Sequence, residues 1–457
     1  MANNARQTAL FILNTLDKKR TPLLDNILED VLDQDSPLSR RDRSLLYALV
    51  YGVLRWRGSL DWIIGYFSKT RLNKIDHRVL NVLRIGLFQM IYLDRIPVSA
   101  AVNTSVEMTK SFAAPWVVRF VNALLRNAAR RYKTVPFPNI DKNPVAALAA
   151  AKSFPKWLIE RWLARLGIEE TGKLCDAINT IPPITIRTNT LRSNREQLIN
   201  ALESDVEKMK PTPYAPDGLS FFNPKILISE MDTFKNGWFQ VQDEAAQLVT
   251  CLLNPRAGDT VLDACAGLGG KTGHIAQMMQ NQGHIVSLDC EKKKLLRLRN
   301  ETERLGISIV ETCVHDLYEP FEKKKPSFFK IPGFCGFDRI LLDAPCSGLG
   351  VLRRNPDTKW SVSKKNLKRY KQKQIKFLNN VAPLVKPGGI LVYAVCSTEP
   401  EENEAVAEAF LNQHPEFETG KRKTENGKRK TFPHLDNMDG FFSIRFKRVP
   451  DQTDFDR

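Results

Sequence analysis

The chain is predicted to be multidomain: all-α over residues 1–140, small α+β over 141–237, and α/β with a Rossmann-like, doubly wound parallel sheet over 238–457. Apolar residues recur at helical spacing through the first part. Two short alternating runs stand in the middle part. Short β-rich runs then alternate with helical stretches to the end, which is the pattern of a parallel sheet with helices on both faces.

In the first part, Ala9, Leu10, Leu13 and Leu16 share a helical face, as do Leu45, Leu46, Leu49, Val50 and Val53. Val79, Val82, Leu83, Leu87 and Met90 do the same, followed by helices over Ala100–Lys110 and Trp116–Arg131. Short loops between them make a helical bundle. The polar stretch Tyr132–Asn143 reads as a linker. Beyond it come a helix over Phe154–Leu166 and strands over Ile184–Thr188 and Leu219–Phe222. In the last part, strands are expected at Thr260–Asp263, His284–Asp289, Ile307–Glu311, Asp338–Asp343 and Gly389–Ala394. Lys271–Gln280 and Lys292–Leu305 read as helices between them. A final strand, Phe441–Arg448, is expected to return antiparallel at an edge. The insert Gly420–Lys430 is too polar to pack and reads as a mobile loop.

A formal net charge of +17 points to a polyanionic partner, nucleic acid being the commonest. The eight cysteines are scattered without Cys-x-x-Cys spacing, so neither a zinc site nor a disulfide framework is indicated and no metal is expected. No apolar signal core opens the chain, and no run approaches the ~20 apolar residues of a membrane helix. A cytoplasmic monomer is expected, with no membrane contact.

The strand ending at Asp263 runs into Ala264-Cys-Ala-Gly-Leu-Gly-Gly-Lys-Thr272 and then a helix. Glycines there allow a sharp turn and close approach to a ligand, and amides at the helix start can hold an anionic group. Asp289 ends the next strand 22 positions after Gly267. An acid about 20 residues past such a loop grips ribose hydroxyls in nucleotide-binding folds. A nucleoside cofactor is implied. The loop alone does not separate NAD from S-adenosylmethionine.

Two later strands end in Asp343-Ala-Pro-Cys-Ser-Gly348 and Val395-Cys396-Ser-Thr-Glu-Pro400. Ligands of open parallel sheets bind at the carboxyl ends of strands, so Cys346 and Cys396 share the edge of the glycine loop. The other thiols, among them Cys175, Cys251, Cys290, Cys313 and Cys335, read as inert buried residues. Paired thiols beside an acid fit methylation of cytosine carbon 5, a poor nucleophile until a thiolate adds to carbon 6. Asp343 is placed to hydrogen-bond ring N3 and the amino group. The carbon 5 proton must then leave, and Cys346 is a candidate base. An amino-group methyltransferase would carry Asn/Asp-Pro-Pro-aromatic in place of Asp343–Cys346 and need no thiol. Arg353, Arg354 and Lys359, following Cys346, are expected to meet RNA phosphates.

Asp343-Ala-Pro-Cys-Ser, the Cys396-Ser segment with Glu399-Pro-Glu-Glu-Asn403, and Arg354-Asn-Pro-Asp-Thr-Lys-Trp360 resemble the RNA 5-methylcytosine methyltransferases. Leu49-Val-Tyr-Gly-Val-Leu-Arg55, Leu83-Arg-Ile-Gly-Leu-Phe-Gln89, Ala100-Ala-Val-Asn103 and Phe120-Val-Asn-Ala-Leu-Leu-Arg126 resemble a NusB-type RNA-binding domain. The pairing is similar to the bacterial Sun/Fmu (RsmB) family acting on 16S ribosomal RNA. The resemblance implies a NusB-like domain, a small linker domain and a class I methyltransferase domain. It implies S-adenosylmethionine held by Cys265, Ala266, Gly267, Leu268, Gly269, Gly270, Lys271, Asp289, Asp316 and Asp343. It makes Cys396 the nucleophile and gives Cys346 product release, whereas in DNA cytosine methyltransferases the Pro-Cys cysteine, here Cys346, attacks. Gly267-Leu268 departs from the usual Ala-Pro, and Val395 stands where Thr is common.

Overall fold

Helix starts in the first part of the chain follow capping chemistry. The Ser39 hydroxyl accepts from the Asp42 amide at 3.2 Å and the Asp76 carboxylate from the Arg78 amide at 2.8 Å. Each satisfies a donor that a helix leaves unpaired at its first turn. In the structure, a computed structural model describing residues 4–18, 24–32, 38–321, 334–419 and 427–450, the chain divides into two units.

The first unit comprises residues 1–180 with 352–363. Its described helices are α1 (Ala5–Lys18), α2 (Leu24–Leu32), α3 (Arg40–Phe67), α4 (His77–Tyr92), α5 (Val98–Lys110), α6 (Pro115–Arg131), α7 (Pro144–Ala151) and α8 (Lys156–Asn179). Leu46, Leu49, Val50, Leu83 and Leu125 are fully buried in one core, as their spacing required. The helix expected over Phe154–Leu166 breaks at Gly167, whose φ of +76° and ψ of 178° are not helical, and a second helical stretch follows it to Asn179.

Residues 352–363 correct an expectation. Lys359 is not at a nucleic-acid surface: it is fully buried in this unit, its ammonium donating to Asn179 Oδ1 at 2.7 Å and the Arg55 carbonyl at 3.2 Å. It lies 3.8 Å from the Phe154 ring centroid. Arg353 is also buried, and its carbonyl accepts from Arg55 Nη2 at 2.7 Å. The Trp360 indole donates to the Leu54 carbonyl at 2.7 Å. The motif is therefore part of the helical core, since its polar groups find carbonyls there that satisfy them.

The second unit holds two sheets. The smaller is antiparallel, ordered β2 (Glu207–Pro211), β3 (Gly218–Phe222), β1 (Ile184–Thr188), β4 (Phe239–Val241), with helix α9 (Arg195–Leu202). After α10 (Glu244–Leu253) comes the larger sheet. Its strands are β5 (Thr260–Asp263), β6 (His284–Asp289), β7 (Val310–Val314), β8 (Phe337–Asp343), β9 (Val385–Val395), β10 (Phe417–Thr419), β11 (Lys428–Lys430) and β12 (Phe442–Arg448). Helices α11 (Gly270–Met278), α12 (Lys292–Leu305), α13 (Lys364–Val381) and α14 (Glu404–Gln413) alternate with them. The order is β10-β12-β9-β8-β5-β6-β7, with β5 through β9 parallel. Both faces are buried: Leu262, Leu342, Leu391 and Tyr393 enter one core, Val261, Leu341, Val392 and Ala394 the other. Strand order reverses at β5, so the crevice for ligands lies beyond β5 and β8.

Three details differ from the sequence reading. β7 begins at Val310 rather than Ile307, because Ile307 closes the α12 cap: its amide donates to the Thr302 carbonyl behind Gly306 at φ +75°. β12 is antiparallel as expected but lies inside the sheet, between β9 and the short strands β10 and β11. Of the basic insert, residues 420–426 lie outside the described residues, but Lys428–Lys430 pairs with β12. Glu404 draws that end in, 3.0 Å from Lys428 and 3.1 Å from Lys430.

Candidate active site

The loop after β5 is shaped by two left-handed glycines. Gly267 has φ +55° and Gly269 φ +86°. A Cβ on Gly269 would meet the Leu298 side chain at 2.7 Å, so that position admits only glycine. At Gly267 nothing lies within 4 Å of such a Cβ, leaving its backbone against open space. The Gly267 amide donates to Asp289 Oδ2 at 3.1 Å, and the Glu291 amide to Asp289 Oδ1 at 2.8 Å. Asp289 is thereby fixed at the end of β6 with one lone pair per oxygen to spare. Asp316, past β7, is exposed and accepts from the Tyr318 amide. Leu268 is half exposed, Ala266 buried, and Cys265 partly buried. Burial, reinforced by Asp263, Asp343 and Asp289, pushes the Cys265 thiol well above its ordinary pKa.

At the start of α11, Lys271 donates to Asp343 Oδ2 at 2.5 Å. Burial works to lower the Lys271 ammonium, but the charge and hydrogen bond of Asp343, helped by Cys396 and Asp263, leave it above its usual value. Lys271 thus stays a cation between the glycine loop and the end of β8. Asp263, which the sequence reading passed over, is fully buried beneath it. Burial raises its carboxyl to about 7 against a 2.7 Å bond from Thr272 Oγ1. A strand that ends in an acid immediately before a glycine loop was the available signal.

The two thiols meet. Cys346 Sγ and Cys396 Sγ are 3.1 Å apart, and both are partly buried. The hydrogen bond to Cys396, then burial, then the nearby Cys396 and Glu402 charges hold the Cys346 thiol well above its ordinary pKa. Glu402, fully buried, bonds both cysteine loops. The remaining cysteines are not uniformly buried as expected: Cys175 is, while Cys290 and Cys335 are exposed.

A second missed residue is Arg187 of β1. Fully buried, it donates to Gln240, Gln242, Gln277 and, at 3.0 Å, to the Gly270 carbonyl. Burial lowers its guanidinium to about 9. The small sheet in this way supports the start of α11, a link between elements 83 residues apart that no local pattern announces.

These residues fit a nucleoside cofactor. The open backbone at Gly267, the fixed acid Asp289 and the amides opening α11 gather at the carboxyl ends of β5 and β6, with an acid for a ribose diol.

The comparisons agree. Residues 250–447 match the family model "16S rRNA methyltransferase RsmB/F", residues 3–130 the NusB family, and residues 154–226 the ferredoxin-like domain of RsmF/B-like methyltransferases. The chain is 35% identical to the probable ribosomal RNA small subunit methyltransferase B of Bacillus subtilis, over 97% of this chain and 99% of that one. It is 34% identical to the protein so described in Synechocystis, over 98% and 100%. The crystal structure of PH0851 matches with a TM-score of 0.80 at 28% identity, covering 98% of this chain and all of that one.

Proposed function

The chain belongs to the RsmB/F family of 16S rRNA methyltransferases, and from that premise we propose that it methylates carbon 5 of a cytosine through a covalent bond from Cys396. S-adenosylmethionine is the cofactor and supplies, when bound, an electrophilic methyl group on a sulfonium. Cys265 through Lys271, Asp289, Asp316 and Asp343 are the residues read as holding it.

One observation carries the reading: two thiols 3.1 Å apart beside the Lys271–Asp343 pair. The Cys396 thiolate adds to carbon 6, forming the S–C6 bond and breaking the C5=C6 π bond, whose electron pair makes carbon 5 nucleophilic. Asp343 hydrogen-bonds the cytosine edge, and the ammonium of Lys271 holds its Oδ2. After methylation the carbon 5 proton passes to a base and the S–C6 bond breaks. Cys346, in contact with the sulfur that leaves, is the group read as promoting this release.

The target base must leave its stack to reach the thiols, which favours an unpaired or weakly paired site. Helix α13 supports delivery of such a strand. Lys364, Lys365, Lys368, Arg369 and Lys376 are exposed on it, while its inward Gln374 donates to the Pro345 carbonyl at 3.1 Å. We assign RNA binding to residues 1–140 and 141–237 and methyl transfer to 238–457, in a cytoplasmic monomer. No described helix is long and apolar enough to cross a membrane.

The test is product analysis. The chain is incubated with 16S rRNA and labelled S-adenosylmethionine, and the RNA is digested to nucleosides. Label in 5-methylcytidine is expected. Label in a cytidine methylated on its amino group would overturn the reading.

A further inference from the structure

Glu402 collects more donors than any ordinary surface acid. Oε1 accepts from the Ser347 amide at 2.8 Å and Gln374 Nε2 at 3.2 Å. Oε2 accepts from Ser347 Oγ at 2.5 Å and Ser397 Oγ at 2.6 Å. Its own carbonyl accepts from the Tyr393 hydroxyl at 2.6 Å. Ser347 follows Cys346 and Ser397 follows Cys396. One carboxylate therefore grips both cysteine loops one residue beyond each thiol, and Gln374 extends the grip to the Pro345 carbonyl that precedes Cys346.

The donor set favours the carboxylate. An amide N–H and a side-chain NH2 can only donate, so Oε1 carries no proton. The two serine hydroxyls, 3.3 Å from each other, also accept from the Leu349 and Glu399 amides, and both lie within hydrogen-bond distance of Oε2. Burial pushes the Glu402 carboxyl up, and the bonds from Ser347, Ser397 and Gln374 oppose it. A buried carboxylate persists only where several donors converge on it.

Resting on the assignment of the two thiols above, we propose that Glu402 is a positioning residue that sets the sulfur-to-sulfur gap. Neither β8 nor β9 fixes that gap alone, because each cysteine lies beyond its strand: β8 ends at Asp343 and β9 at Val395. The parallel register aligns Asp343 with Ala394, and past that point Glu402 joins the loops alongside the Gly350 amide, which donates to the Cys396 carbonyl at 3.0 Å, and a 3.3 Å contact between the Ser347 and Ser397 hydroxyls. Without the carboxylate the loops keep only those weaker links, and a displacement on the order of 1 Å at reacting groups costs roughly 100-fold in rate.

The experiment uses the full chain and phenylarsine oxide, which loses its oxygen as water while arsenic bonds two closely spaced thiols. In the wild type, mass spectrometry should find arsenic bridging Cys346 and Cys396. In Glu402→Gln, which keeps volume but aims an NH2 where two hydroxyls donate, bridging should fall at least about 10-fold. The kcat should fall roughly 100-fold while KM for RNA and affinity for S-adenosylmethionine hold. A variant that bridges and turns over like the wild type overturns the proposal. Should Glu402→Gln lose cofactor binding through misfolding, Ser347→Ala and Ser397→Ala each remove one arm. Unchanged bridging and kcat in both would overturn the clamp, and a fall in both supports it. Bridging needs no methylation, so a wild type that bridges but never methylates cytosine, with a Gln variant that does not bridge, sustains the clamp and sinks the functional reading alone.

Discussion

Lys271 and Lys359 both stand in motifs of the methyltransferase sequence, and both are withdrawn from water. Lys271 meets the Asp343 carboxylate, and its ammonium is held above its ordinary value despite burial. Lys359 meets an amide oxygen and backbone carbonyls, and burial, aided by the Arg55 charge, drives its ammonium well below. The first is a cation paired with a carboxylate, the second a hydrogen-bond donor inside a helical core. The difference teaches that a buried lysine's role is set by the charge of its acceptor.

The comparison breaks most readily at the first lysine. Lys271→Met should lower kcat/KM roughly 100-fold, about 2.7 kcal/mol, because Asp343 is left without its counter-charge. Single-turnover methyl transfer reads this. Adding Asp343→Asn should cost less than the two separate losses, with a coupling of about 1–3 kcal/mol between them. Simple additivity would mean the two do not act as a pair.

Lys359→Met sharpens the contrast from the other side. Stability should change by less than about 1.5 kcal/mol and RNA affinity should hold, since the methionine fills similar volume against Phe154. The pH dependence is more telling. Between the lowered folded value and the unfolded value of about 10.4, the unfolded chain holds a proton that the folded chain lacks, so wild-type stability rises with pH through that window. The methionine variant should lose that rise, as thermal unfolding from neutral to alkaline pH would report. Equal slopes would mean that Lys359 is charged in the fold.

The smallest effect is expected at Gly267→Ala. Left-handed backbone costs alanine about 1 kcal/mol, and the open space at that Cβ adds nothing further. A melting temperature a few degrees lower, with cofactor affinity within about threefold, is the expected outcome.

These contrasts also mark what the sequence could tell. The glycine loop, Asp289 and the thiol-bearing strand ends are legible because each is local: strand, turn and helix follow one another within a few residues. Helices such as Lys292–Leu305 are legible from periodicity and a terminal glycine. Glu402 stood in a quoted motif yet could not be told from Glu399 or Glu401, since its partner Ser347 lies 55 residues away. Arg187 reaches Gly270 across 83 residues. Lys359 follows Cys346 closely in the chain, which suggests an RNA surface, whereas residues 352–363 join the helical unit and bury it. Burial and long-range polar pairing are tertiary facts, and a residue's type alone does not encode them.

The central claim is that two touching thiols perform two different steps. It is tested on a denaturing gel of enzyme, RNA and S-adenosylmethionine. Cys396→Ala should give neither adduct nor product, while Cys346→Ala should attack, transfer methyl and remain trapped as a heat-stable RNA adduct. The reverse pattern, an adduct in Cys396→Ala and none in Cys346→Ala, would contradict the account and make Cys346 the nucleophile.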